Sequence, residues 1–165
     1  MKGRWRNELK NGLKIGLNVK ICKGEKDLYE IFSLYKIEKK KRNYEAINST
    51  ILEKWYENTK NSNCELVAFK GYETSSESNI FLGSIVIIIN DVTATYLLAV
   101  NNGERRINFL SNILLWEGIL YAKNAGCLFF DLGGIDPVKT PGIASFKLGL
   151  NPKLHKDNKL TITLI

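Results

Sequence analysis

Three apolar segments follow one another in the middle of the chain, and polar turns separate them. The segments cover residues 65–70, 80–89 and 93–100. A polar run at residues 73–79 and the dipeptide Asn90-Asp91 supply the turns. Because consecutive strands that are joined by short turns pair antiparallel, this pattern predicts an antiparallel meander.

Helical patterns flank the meander on both sides. Apolar residues at helical spacing predict a helix over about residues 27–41 and a long helix that stops at Gly126. The run Thr50-Ile51-Leu52-Glu53 has the form of a capping box, which predicts a further helix that Thr50 caps. Predicted strands at residues 18–22 and 160–164 begin and end this order of elements. The chain therefore reads as a mixed α/β fold.

A short apolar strand is followed at once by paired glycines. Residues 127–130 lie between Gly126 and Gly133-Gly134, a pattern that predicts a central strand buried on both faces. Glycines in this position permit a positive φ, which we expect at Gly134, and they let backbone amides approach a ligand. The segment predicts a binding crevice at the carboxyl end of the strand.

A lysine follows this turn in a second predicted element. Residues 142–150 have the pattern of a short helix opened by Pro141, and Lys147 lies beside Phe146 within it. Such a lysine can be partly desolvated near the crevice, where its charge would stabilise an oxyanion. The alternative is that the turns are an ordinary loop and that Lys147 is a solvated helix residue.

Several motifs occur in the order and spacing of a known family. They are residues 115–127, residues 130–137, Gly142, the run Phe146-Lys147-Leu148-Gly149, and residues 3–10 near the amino terminus. Together they resemble the Fem-type (FemABX) peptidyltransferases. These are aminoacyltransferases that build peptidoglycan cross-bridges on a fold related to the GNAT acyltransferases.

The resemblance implies an α/β (α+β) fold, a GNAT-like domain whose mixed, mostly antiparallel sheet is flanked by helices. It also implies that Lys147 stabilises the tetrahedral intermediate and that Phe146 shapes the site. Asp131 and Asp136 are candidate partners for a substrate amine, although Asp131 also fits a buried strand end satisfied by backbone. The candidate substrate-binding residues are Asp131, Gly133, Gly134, Asp136, Arg105, Arg106 and Trp116.

The acyl donor is left open between aminoacyl-tRNA, as the resemblance implies, and acyl-CoA. Residues 101–108 occupy the place of the glycine-rich pyrophosphate loop of GNAT enzymes, but they contain one glycine. Arg105 and Arg106 are candidates for holding phosphates through their side chains, with a charged surface loop as the alternative. We expect no tightly bound cofactor.

Composition limits the remaining possibilities. At 165 residues the chain has room for one domain, 1–165, and its net charge of +7 points to anionic partners. No long apolar segment or signal peptide is evident, so we expect a cytoplasmic protein, with contact at the inner membrane face left open. The three cysteines and single histidine lack metal-ligand spacing, and we expect reduced thiols and no metal site.

These observations lead to one main hypothesis. The chain is an N-acyltransferase or aminoacyltransferase that forms an amide on an amine of a cell-envelope precursor, either peptidoglycan or a surface glycan or nucleotide-linked sugar. The alternative is a noncatalytic relative that binds a nucleotide-sugar, tRNA or a partner enzyme.

Overall fold

The computed structural model describes residues 1–42, 47–74, 79–103, 105, 107 and 109–155. The predicted strand at residues 160–164, the candidate Arg106 and most of the turn at residues 73–79 lie outside the described residues. Within the described part, the elements are α1 (Gly3–Leu13), β1 (Asn18–Cys22), α2 (Glu25–Arg42), α3 (Ser49–Thr59), β2 (Cys64–Thr74), β3 (Asn79–Asn90), β4 (Thr93–Asn101), α4 (Leu110–Asn124), β5 (Phe129–Asp131) and α5 (Pro141–Gly149).

The five described strands form one sheet in the order β1-β2-β3-β4-β5. The first four strands pair antiparallel, and β5 pairs parallel with β4. The predicted meander corresponds to β2, β3 and β4, with Asp91 at a φ of 52° in the tight turn between the last two. The expected mixed, mostly antiparallel sheet is thus confirmed.

The sheet is covered on both faces because apolar residues alternate along its central strands. Val67, Phe69 and Ile87 pack in one core with residues of α1, α4 and α5. Ala68 and Val86 point the other way and pack in a second core with α2 and α3. Burial of the alternate side chains on opposite faces produces three layers, with the sheet in the middle.

The strand β5 differs from its prediction. It has three residues and lies at the edge of the sheet that the described strands form, and two of its three residues are exposed, so the prediction of a strand buried on both faces is wrong. Leu128 and Phe129 are 74% and 65% exposed, whereas Phe130 packs against the core. A short apolar run has the same appearance whether one face or both are covered, so the run could not reveal the edge position.

Two helix starts also differ from expectation. The cap of α3 is Asn48, whose side chain accepts a hydrogen bond from the Thr50 backbone N–H, so the predicted cap at Thr50 is wrong. Helix α1 was not predicted as a helix. Its buried residues Trp5, Leu9 and Gly12 follow helical spacing, but they are few and lie among polar residues.

Candidate active site

An opening forms where β4 and β5 part. The two strands pair only from Thr93 with Phe129 to Thr95 with Asp131, and β4 then continues to Asn101 with no described strand paired to it on this side. The pairing register between β3 and β4 shifts at the same place: Val86 pairs with Leu98, and the next residue, Ile87, pairs with Tyr96. Tyr96 directly follows Thr95, so it is the first residue of β4 beyond the pairing with β5.

The glycine turn after β5 closes one side of this opening. The Asp131 carboxylate accepts a hydrogen bond of 2.8 Å from the Gly133 N–H, which holds the turn. Gly133 has a φ of +70°, and a Cβ atom on it would lie 3.4 Å from the Tyr96 carbonyl oxygen. The expected positive φ at Gly134 is wrong, because Gly133 is the residue that adopts it.

Helix α5 directs Lys147 into the opening. The predicted short helix is confirmed, with Pro141 in its first turn, where a missing N–H costs nothing. The Lys147 side chain is buried, with the residue only 8% exposed. Its Nζ donates a hydrogen bond of 2.9 Å to the Gly134 carbonyl and lies 5.3 Å from the centroid of the Tyr96 ring.

The Lys147 ammonium has no ion-pair partner among the described residues. Burial lowers the pKa of Lys147 from its ordinary value, and the negative charge of Asp131 opposes that shift only in part. Among the described residues, Nζ has a carbonyl and an aromatic ring as neighbours, and no carboxylate lies within ion-pairing distance. A buried, unpaired ammonium of this kind is costly for the fold and is typical of a functional group.

Helix α1 supports α5 from behind. The Trp5 ring packs against Gly149, where a Cβ atom would lie 2.6 Å from Trp5 Cδ1. The ring centroids of Trp5 and Phe146 lie 6.0 Å apart, and Phe146 is partly buried against the same core. The Lys2 N–H donates a 2.8 Å hydrogen bond to the Gly149 carbonyl. These contacts fix the helix that carries Lys147, so the position of its side chain is set by packing.

The structure brings together some of the predicted site residues. Lys147, Gly133, Gly134 and Asp131 surround the opening. Asp131 is exposed, so the alternative of a buried carboxylate is wrong, although its hydrogen bond to backbone is present.

The other predicted residues have different surroundings. The Asp136 carboxylate accepts hydrogen bonds from the backbone N–H groups of Val138 and Lys139, which lower its pKa. Arg105 follows the end of β4 and forms an ion pair with Glu73 at the end of β2. Trp116 is partly buried on α4 and packs against the core.

Tyr96 is a site residue that sequence reasoning missed. Its ring lies beneath the Lys147 ammonium, in the arrangement of a cation–π contact. In the sequence it is one of several apolar or aromatic residues of a predicted strand. Only the partner strands and the position of α5 distinguish it from the others, so no local signal was available.

A groove of about 340 Å³ lies on the opposite face of the sheet. Its lining includes Trp55 and Asn58 of α3, Cys64 of β2, and Thr95 and Leu97 of β4. Thr95 precedes Tyr96, and side chains of successive strand residues point to opposite faces. The groove and Lys147 therefore approach the same stretch of β4 from its two sides.

The described residues form neither a metal site nor a membrane-spanning helix. In the part of the chain that the structure describes, no group of three His, Cys, Asp or Glu side chains is placed to hold a metal ion. Helices long and apolar enough to cross a bilayer are likewise absent from the described residues.

Similar structures share this architecture. FemX has a TM-score of 0.65 and 17% identity, over 82% of this chain and 48% of FemX. The aminoglycoside acetyltransferase meta-AAC0020, from an uncultured soil metagenomic sample, has a TM-score of 0.60 and 13% identity, over 90% and 97% of the two chains. A GNAT family acetyltransferase of Staphylococcus aureus has a TM-score of 0.51 and 15% identity, over 90% of this chain and 98% of that chain. The GNAT-like fold predicted from the sequence is thus confirmed.

The family assignment rests on the sequence. The chain spans about half the length of FemX, and no curated protein matches it. The sequence profile of the FemAB family matches residues 34–157, a range that includes the strands β2 to β5, the glycine turn and Lys147. Because this match covers most of the chain, the protein belongs to the FemAB family.

Proposed function

We propose that this protein transfers an aminoacyl or acyl group to an amine of a cell-envelope precursor. The observation that carries the proposal is the Lys147 ammonium, which is buried at the parting of β4 and β5 with no carboxylate partner among the described residues. One of its three N–H donors is taken by the Gly134 carbonyl. The others are available to an oxygen that develops negative charge in the opening.

The reaction requires little acid or base strength from the protein. The acceptor amine attacks the carbonyl carbon of the activated acyl donor, and the carbonyl oxygen becomes an oxyanion that Lys147 stabilises by charge and hydrogen bonding. The intermediate then collapses to an amide, the bond to the donor oxygen or sulfur breaks, and the attacking nitrogen loses a proton. Positioning of the two substrates supplies the rest of the acceleration.

Membership of the FemAB family supports this class of reaction, as does the likeness to acetyltransferases. It favours aminoacyl-tRNA as the donor, with acyl-CoA as the second candidate. The acceptor is an amine of a peptidoglycan precursor or of a surface-glycan or nucleotide-linked sugar. The groove beside Trp55 offers such an acceptor an approach to β4 from the face opposite Lys147.

A substitution at Lys147 tests the proposal. We expect Lys147→Ala to lower kcat by about 10²-fold or more, the usual cost of losing one oxyanion donor. The matched control is Lys123→Ala, an exposed lysine at the end of α4, which should transfer at the normal rate. The assay follows loss of labelled acyl group from charged tRNA and, separately, from acyl-CoA, with envelope precursors as acceptors.

The outcomes discriminate among the candidates. Acceptor-dependent loss from tRNA identifies an aminoacyltransferase, and loss from acyl-CoA alone identifies an acyl-CoA N-acyltransferase. Normal turnover by Lys147→Ala would refute the role of Lys147. Absence of transfer from either donor would favour the noncatalytic alternative.

A further inference from the structure

Helix α1 and the two residues that flank it carry a row of exposed positive charges. Lys2, Arg6, Lys10 and Lys14 lie four residues apart, and all four are exposed. At 1.5 Å of rise per residue, neighbouring cations are separated by about 6 Å along the axis and the row is about 18 Å long. We call these four residues the α1 row.

The stability of the helix accounts for Lys10 and Lys14, which lie at its carboxyl end, where positive charge complements the helix dipole, but not for Lys2 and Arg6. The first turn contains no acidic residue, and Lys2 and Arg6 lie near the amino end, where positive charge opposes the helix dipole. The one carboxylate of the helix, Glu8, pairs with Arg4. Within the described part of the chain, no member of the α1 row forms an ion pair. Residues 2–14 hold five cations and one carboxylate, and thus much of the net charge of +7.

The α1 row is rigidly connected to the candidate active site. The opposite face of α1 is buried through Trp5 and Leu9. The row begins at Lys2, whose N–H donates to the carbonyl of Gly149, two residues after Lys147. A chain of phosphates that followed the row would therefore start beside the helix that carries Lys147.

We propose that the α1 row binds the phosphate backbone of RNA and so holds the tRNA of an aminoacyl-tRNA donor. This inference rests on the proposed function for the identity of the RNA. Evenly spaced cations on a rigid helix suit a linear series of phosphates, whereas the few phosphates of a coenzyme are too close together to follow a row of this length. A membrane surface is disfavoured because the apolar face of α1 is buried in the fold and cannot insert between lipids.

The test measures binding of uncharged tRNA, and it needs no turnover. The row variant carries Lys2→Gln, Arg6→Gln, Lys10→Gln and Lys14→Gln, since glutamine keeps helix propensity. The control carries Lys26→Gln, Lys36→Gln, Lys54→Gln and Lys123→Gln, which remove the same charge from four exposed lysines elsewhere. Fluorescence anisotropy with labelled tRNA is recorded from about 0.05 to 0.2 M KCl, and vesicles of anionic lipid are tested in parallel.

We expect the row variant to bind tRNA at least about tenfold more weakly than the wild-type protein. The magnitude of its slope of log K against log salt concentration should be smaller by about 3, because up to four phosphate contacts disappear. The control should change much less in both. Equal loss in the two variants, or no tRNA binding by the wild-type protein, would overturn the proposal. It would also be overturned if the row variant lost vesicle binding and kept tRNA binding.

Two further measurements keep the outcome clear. The half variants Lys2→Gln with Arg6→Gln, and Lys10→Gln with Lys14→Gln, should each show part of the loss, which protects the test if the full variant fails to fold. Binding of uncharged tRNA is measured without acyl transfer and needs no substitution at Lys147. Loss of tRNA binding in the row variant therefore stands whether or not the proposed role of Lys147 in transfer proves correct.

Discussion

Lys147 and Lys70 are both buried lysines, but only Lys70 has carboxylate partners among the described residues. Lys70 is 3% exposed and donates hydrogen bonds of 2.7 Å to Asp27 and to Glu30. Burial acts to lower the pKa of Lys70, but the two carboxylates outweigh it and raise the pKa above its ordinary value. Burial lowers the pKa of Lys147, which has no such partners in the described part of the chain. The first lysine is neutralised within the fold, and the second keeps its charge available to a ligand.

The lowered pKa of Lys147 predicts the pH dependence of transfer. Oxyanion stabilisation needs the protonated ammonium, so kcat should fall as pH rises through the pKa of Lys147, below the value of about 10.4 for a free lysine. Lys147→Arg should be slower but should lack this alkaline limb, because arginine stays protonated. Rate profiles of both proteins check this. An unchanged limb in the arginine variant would assign it to another group.

The two glycines of the turn should respond differently to alanine. Gly133→Ala should cost about 1–2 kcal/mol, because an L side chain is strained at a φ of +70°. Gly134→Ala should change stability by less than about 0.5 kcal/mol, because its Cβ meets nothing within 4 Å and its φ lies outside the left-handed region. Urea unfolding midpoints measure both. Equal losses would contradict the turn geometry.

At the scale of elements, the contact between β2 and α2 should show an asymmetry. Asp27→Asn combined with Glu30→Gln should destabilise by about 3–5 kcal/mol, because it leaves the Lys70 charge buried without a counter-charge. Lys70→Met should cost clearly less, since the two carboxylates are partly exposed and can be hydrated. Denaturant unfolding at pH 7 compares the two variants. A greater loss in Lys70→Met would contradict this account.

The short length of β5 is what creates the opening. A longer strand would continue to pair with β4 past Thr95 and would fill the space in which Lys147 now lies over Tyr96. Asp131 ends the strand and turns the chain by accepting the hydrogen bond from Gly133. The turn then supplies the Gly134 carbonyl that orients Lys147. The end of one strand, a turn and one helix thus form the candidate site.

Over the whole molecule, the candidate site with Lys147 and the groove beside Trp55 lie on opposite faces of the sheet. Helices α1, α4 and α5 cover the face with Lys147, and α1 adds the row of cations beside it. Helices α2 and α3 cover the other face, where the groove beside Trp55 reaches β4. A donor and an acceptor that approach from opposite faces would meet at the parting of β4 and β5.

The sequence predicted much of this fold because local patterns and local structure agree. Strand β1 was predicted with its observed bounds. The helices α2, α4 and α5 and the strands β3 and β4 were predicted to within a few residues of their observed bounds. The first strand of the meander, β2, is several residues longer than predicted. Errors arose where the local pattern had two interpretations. Asn48 and Thr50 are both good helix caps, and the strand after Gly126 has the same apolar character at an edge as at the centre of a sheet.

The sequence by itself determined the order of the described elements from β1 onward, the turn after β5, the helix of Lys147 and the resemblance to the family. Each depends on residues close together in the chain or on a motif that can be read directly. The tertiary structure alone decided that β5 lies at the edge of the described sheet, that Tyr96 lies under Lys147 and that Arg105 pairs with Glu73. These contacts join residues far apart in the chain, and they follow from strand register and helix packing, which local patterns do not encode.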